Sequence, residues 1–348
     1  MATLTQTAQM TRRALKFGAI LIILLFFLKM AWQIGTDFWQ KIHPAPPPPP
    51  TVAFGKLPVL KFPEKETPSL TYRLETIQGA LPTLSNVSRV YFMPKNPPNL
   101  LALDRGKEKA RQLGFTALPQ NIEGTNYRWT TNATPPTTLE MEVNSGNFHL
   151  RYQYEDDQSL LVQKNLPTDQ QAAQEAKTFL QTNDLLTEEL ATGSAEFNYL
   201  KFVSPDLVSA ISLSEADFIR VNLFRADLDN LRILPPNPRK ALISFLFSGN
   251  RERGKRIMEI YYYYFPIDFN TFATYPLKPI NDAWQELQGG KGYLANLGQN
   301  ENQVTIRKIY LAYYDSQEPQ HFLQPIYVFE GDQNFFSYVP AIAVDWLE

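Results

Sequence analysis

One stretch near the start divides the chain before any fold can be considered. Ala14 to Ile34 reads ALKFGAILIILLFFLKMAWQI, apolar apart from Lys16, Lys29 and Gln33. As a helix it would extend about 31 Å, the thickness of a bilayer's hydrocarbon core. Lys29 stands one turn from the far end, where its stem can reach the headgroups. Trp32, Phe38 and Trp39 follow it, as an interfacial aromatic belt would. Arg12 and Arg13 precede the stretch, and residues 1–16 hold no acidic side chain. The positive-inside rule then predicts a cytoplasmic tail at 1–13, a transmembrane helix at 14–34 acting as an uncleaved signal-anchor, and an extracytoplasmic remainder. A cleaved signal peptide with Phe17–Leu28 as its apolar core is the rival reading, and a buried core helix a third. After Leu28 comes Lys-Met-Ala-Trp-Gln, which lacks a small-x-small cleavage pattern.

Residues 35–69 read as a Pro-rich linker. Pro46 to Pro50 form an unbroken run, and Pro58, Pro63 and Pro68 continue it. Consecutive prolines fix φ and favour an extended polyproline stalk, which would hold the rest of the chain off the membrane; a ligand for an aromatic groove is the alternative.

From Leu70 the composition turns globular, with 44% hydrophobic and 13% aromatic residues over the whole chain. The periodicity predicts helices at 102–113, 169–183 and 279–288, each followed by strands. Thr168 and Gln171 are spaced as a capping box, and Ala172, Ala176, Phe179 and Leu180 share a face. Ile280, Ala283, Trp284 and Leu287 form the apolar stripe of the third helix, and Gly289-Gly290 its stop. Strands at 139–143 and 148–154 flank the turn Asn144–Asn147, and 241–247 pairs naturally with 257–265. Further strands are expected at 218–224, 304–314, 324–330 and 335–343. The predicted class is α+β: antiparallel sheets, each with a packed amphipathic helix, in two lobes at 70–165 and 166–348. The helix–strand units read as a possible repeat.

The late motifs carry a resemblance. Ala283, Trp284 and Leu287 on a helix, then Pro325, Tyr327 and Phe329 in a strand, resemble the C-terminal part of bacterial membrane-anchored proteins of the YycH/YycI type with PepSY-like modules. The resemblance rests on a packing pattern over about residues 274–343 and on the layout of tail, span and outer lobes; the long proline run departs from it. It implies a non-enzymatic regulator that contacts a membrane sensor kinase.

The search for chemistry begins with exclusions. The chain contains no cysteine, which rules out disulfides, thiolate zinc sites and a thiol nucleophile. Lys plus Arg total 33 against 35 Asp plus Glu, so the basic excess of a nucleic-acid binder is missing. The first 34 residues hold four of the basic residues and no acidic one, leaving 29 against 35 in the remainder. His43, His149 and His321 have no metal-binding spacing, and Gly-x-Ser-x-Gly does not occur. Gly289-Gly290-Lys291-Gly292 follows a helix, whereas a phosphate cradle precedes one. The carboxylate pairs Asp156-Asp157 and Asp227 with Asp229 read as solvated loop residues. No catalytic, cofactor-binding or metal residue is therefore assigned.

Two binding candidates remain. Tyr261 and Tyr263, within Tyr261 to Phe265, could build a groove for sugars or extended peptides, or belong to a central strand covered on both sides. Arg251, Arg253, Lys255 and Arg256 could dock an anionic envelope polymer, a lipid headgroup or an acidic partner, or form a solvated hairpin tip. The expected function is a single-pass extracytoplasmic binding or regulatory protein, held in the cell membrane by 14–34 and working by contact with a membrane or envelope protein. An envelope peptidase or peptidoglycan enzyme, its inhibitor, or a structural part of a secretion complex is the alternative. Whether the chain self-associates is not written in the sequence.

Overall fold

The computed structural model describes residues 17–18, 21, 24–36, 39 and 49–348, apart from 66–67, 96, 98, 163–164, 253 and 300–301. Two units are distinguished, Met1–Pro49 and Pro50–Glu348. In the first unit, residues 17–18, 21, 24–36 and 39 are helical. Among the described residues no helix is long and apolar enough to cross a membrane. Residues 14–16, 19–20 and 22–23 of the expected span lie outside the described residues, as do the tail at 1–13 and His43.

The second unit is built from two sheets. In chain order its first strands are β1 (Thr71–Leu74), β2 (Val87–Phe92), β3 (Gln120–Glu123), β4 (Asn126–Thr130), β5 (Thr137–Glu142) and β6 (Asn147–Tyr152). Next come β7 (Ala195–Val203), β8 (Asp206–Ser209), β9 (Phe218–Leu223), β10 (Ile233–Leu234), β11 (Ile243–Ser248) and β12 (Ile257–Tyr262). The chain closes with β13 (Asp268–Pro276), β14 (Tyr293–Asn296), β15 (Gln303–Tyr314), β16 (Phe322–Gly331) and β17 (Phe335–Pro340). The helices are α1 (Ala102–Gln112), α2 (Asp169–Thr182), α3 (Glu188–Thr192) and α4 (Ile280–Gln288).

Nine strands form one sheet in the order β3-β4-β5-β6-β12-β11-β9-β7-β8, every described neighbouring pair antiparallel. The eight-stranded sheet is mixed: β1 and β10 both run parallel to β15, where all-antiparallel pairing is expected from sequence. Both helix and strand predictions meet observed elements with close bounds. Thr168 and Gln171 do form the capping box of α2. The architecture is α+β.

α1 and α2 bury small side chains, Ala102, Ala110, Ala172 and Ala176, against the sheet residues Leu139, Met141, Phe148, Val221, Phe245 and Ile260. Small residues let helix and sheet approach closely. At Gly106 a Cβ would lie 2.7 Å from Val143 Cγ1, so the glycine is a contact requirement and not a flexible joint. α4 buries Ala283 and Leu287 against the eight-stranded sheet, and Trp284 packs on Phe329 at 5.9 Å between ring centroids. The first two expected helix–strand units therefore share one sheet, while the third belongs to the other.

The division expected at 165/166 falls inside the nine-stranded sheet, because β6 pairs with β12. Likewise β2 joins β13 and β16, more than 170 positions later in the chain. Long-range strand pairing, invisible to local periodicity, sets both partnerships. The folded unit also takes in much of the stretch expected as linker. Leu57 bridges Leu347 and is fully buried; Phe62 stacks on Tyr293 at 4.7 Å.

Arg225 ties the sheets together. Its guanidinium donates to Glu189 at 2.6 Å, to Asp315 at 3.1 Å and to the Phe265 carbonyl at 2.9 Å, and it lies over the Tyr264 ring. Burial works against that charge, but Asp315 and Glu189 outweigh it and hold the guanidinium protonated.

Candidate functional site

Alternation along β12 decides which tyrosines are available. Ile260, Tyr262 and Tyr264 face the helices, and the Tyr262 hydroxyl donates to the Leu185 carbonyl at 3.1 Å. Glu259, Tyr261 and Tyr263 face the opposite way. In antiparallel pairing, directly opposed residues share a face, so the register assembles two rows across six strands. One row runs Glu140, His149, Tyr261, Ser244, Asn222 and Glu196; its neighbour runs Thr138, Arg151, Glu259, Leu246, Arg220 and Asn198. Most of this face is polar, and at one end Tyr152, Phe218, Leu246 and Met258 are covered by the short helical turn that carries Leu160. The face forms the floor of a cleft of about 820 Å³, to which Pro63, Lys65, Tyr293 and Gln317 contribute from outside the nine-stranded sheet.

At the centre lies Glu259, only 6% exposed. His149 Nε2 sits 3.0 Å from one carboxylate oxygen, and Arg220 donates to the other at 2.7 Å. Burial pushes the carboxyl up, but the bond from His149 and the Arg220 charge outweigh it and hold it at about 2. The His149 ring stacks on Tyr261, centroids 4.1 Å apart, and Tyr261 is followed by Tyr263 at 6.5 Å. Burial first, and then Glu259, push the Tyr261 phenol up to about 12, so its hydroxyl stays a donor at neutral pH. Arg151 pairs with Glu155 and covers the Tyr154 ring at 5.3 Å. Asn222 donates to Asn198 at 2.9 Å.

Of the sequence candidates, Tyr261 and Tyr263 thus line an open face and not a doubly covered strand. The basic loop is used differently. Lys255 pairs with Asp157 at 2.8 Å, and Arg256 meets the Glu175 carboxylate twice, at 2.9 and 2.7 Å. Arg251 is exposed beside Gln171 and Glu175, and Arg253 lies outside the described residues. Lys255 and Arg256 are therefore drawn into separate intramolecular pairs. Asp157, expected in solvent, is buried and accepts from Tyr152 at 2.7 Å. Asp229 accepts from Arg89 and Tyr91, both at 2.6 Å, and from Tyr313 at 3.1 Å. Each carboxylate serves as a local tie, the usual use of a partly buried acid surrounded by donors. His321 lies 2.9 Å from the Lys95 ammonium. Among the described residues no group of three or more His, Cys, Asp or Glu side chains could hold a metal ion.

The sequence reading passes over Glu259, Arg220 and Arg151. A period-two signal for them exists, since Glu259 alternates in step with Tyr261 and Tyr263, and Arg220 with Asn222. What joins them is strand order.

No protein-family model matches the chain, and no curated protein matches it. Among solved structures, an uncharacterized protein from Eubacterium rectale ATCC 33656 is similar over 73% of this chain and 82% of its own, at 11% identity and a TM-score of 0.40.

Proposed function

We propose that this chain is a single-pass, membrane-anchored extracytoplasmic binding protein that regulates a membrane or envelope partner by direct contact, its ligand seated in the cleft over the nine-stranded sheet. The anchor is residues 14–34, with the tail in the cytoplasm, on the strength of their apolar length and flanking charges. One observation carries the binding reading over a catalytic one. The carboxylate at the centre of the cleft has both oxygens engaged by His149 and Arg220 and is held ionised, so it is spoken for as a structural anion and not poised to exchange a proton near neutral pH. Around it stand tyrosines and amides, the groups that recognise a ligand without reacting with it.

A photocrosslinking residue in place of Gln317, at the cleft, or of Gln181, on the opposite side of the sheet, tests the reading in intact cells. The expected result is an adduct from the cleft position alone, on a chain whose residues 50–348 are cut by protease added outside. Protection from that protease, or equal adducts from both positions, overturns it. Turnover of peptide or cell-wall polymer by the purified chain would put an envelope enzyme in its place.

A further inference from the structure

The cleft has a charge opposite to that of the region around it. Beyond residue 34 the chain carries more acidic than basic residues, 35 to 29. Yet the side chains lining the cleft include five cations, Lys65, Arg151, Arg220, Arg239 and Lys240, against the carboxylate of Glu259 and those of Glu140 and Glu196 on the same floor. Arg151 and Arg220 belong to the floor, where they pair with Glu155 and Glu259. Lys65, Arg239 and Lys240 form an exposed rim above it, contributed by the segment after Phe62 and the turn before β11; Arg239 also pairs with Glu196 at 3.7 Å, and Lys65 lies over the Tyr293 ring. A concave surface of one sign focuses its field and concentrates counter-ions of the other.

The floor narrows the choice of anion. β12 and β11 are paired along both edges, so their backbone groups are already in the ladder and cannot receive an added peptide strand. Recognition falls to side chains: the half-buried rings of Tyr263 and of Tyr261, one face of which is taken by His149, with Asn198, Asn222 and Gln317 around them. Flat rings that present an apolar face and a polar tip, interleaved with amides, suit the alternating CH faces and hydroxyls of a sugar.

We propose that the cleft binds an acidic oligosaccharide, its rings against Tyr261 and Tyr263 and its carboxylates toward Lys65, Arg239 and Lys240. This deepens the binding reading of the same cleft and rests on it. No bond is made or broken.

The full chain in detergent micelles, titrated with a uronic-acid tetrasaccharide, its neutral counterpart and a glutamate hexapeptide, tests the assignment. The acidic sugar is expected to bind at least about tenfold more tightly than the neutral one, and its affinity to fall with added salt. Lys240→Glu, at an exposed position, is expected to weaken it by about tenfold, and Tyr263→Leu to weaken acidic and neutral sugars alike. Tighter binding of the hexapeptide, lost in Lys240→Glu, overturns the sugar assignment while leaving the cleft as a binding site. Binding of no probe, or sugar binding indifferent to both substitutions, overturns the assignment outright, and the crosslinks from Gln317 then decide the broader reading separately.

Discussion

Glu259 shows how one residue can be both structurally costly and useful. Burying a carboxylate is unfavourable unless its charge is answered, and here His149 and Arg220 answer it. Its folded-state value of about 2 lies below the ordinary 4.5, so the group contributes stability above pH 4.5 that is lost as pH falls through 2. The full contribution is about 3 kcal/mol. Glu259→Gln is expected to remove it, so urea unfolding of the two proteins should differ most above pH 4.5 and converge toward pH 2. A constant gap across that range would mean that the charge is not what stabilises the site. Neither His149 nor Arg220 stands near Glu259 in sequence, which is why a reading of local spacing finds the tyrosines and not their anion.

At the scale of elements, close approach of α1 to the sheet depends on Gly106. A helix-interior glycine usually gains about 1 kcal/mol on replacement by alanine. Here the added methyl would meet Val143 Cγ1 at 2.7 Å, so Gly106→Ala is expected to lose about 1–3 kcal/mol in urea unfolding. Gly106→Ala with Val143→Ala should cost less than the sum of the two single changes, since the second makes room for the first. At the other helix, Thr168→Ala removes half of the capping box and is expected to cost about 1 kcal/mol, read as a lower urea midpoint with unchanged slope. Helices and hairpins were legible from sequence where a pattern repeats within one element. β7, which alternates AEFNYLKFV, and β13, whose register slips between Asp268 and Phe272, escape such a reading. The first leaves residues of both its faces partly exposed, which blurs its alternation, and the second is broken by its irregularity.

For the whole unit Pro50–Glu348, two joints govern cooperativity. Arg225 holds Glu189 of α3 and Asp315 beyond β15 in a buried cluster that spans both sheets. Arg225→Leu leaves two acids facing each other without a cation and is expected to cost more than about 3 kcal/mol. Fluorescence from Trp129, in the nine-stranded sheet, and from Trp284, against the eight-stranded one, should then report separate transitions where the native protein gives one. Coincident transitions in the variant would show that the sheets are coupled by other contacts. The second joint is the stretch around Leu57, which closes the beginning of the unit onto its end. A fragment 50–348 is expected to unfold in one step, whereas 70–348, stripped of Leu57, Leu60 and Phe62, should lose several kcal/mol of apolar burial.

The sequence alone determined what depends on neighbours along the chain: the apolar length of 14–34, three helix stripes with their caps and stops, the tight hairpin between β5 and β6, and the two-faced alternation of the tyrosine strand. Those properties arise from backbone geometry that repeats every two or 3.6 residues. Tertiary structure decided which strands lie side by side, that the lead-in around Leu57, Leu60 and Phe62 packs as core, that Lys255 and Arg256 pair with Asp157 and Glu175, and that five cations gather around two tyrosines. Each of these depends on groups tens to hundreds of residues apart, brought together by burial and pairing that no local pattern encodes.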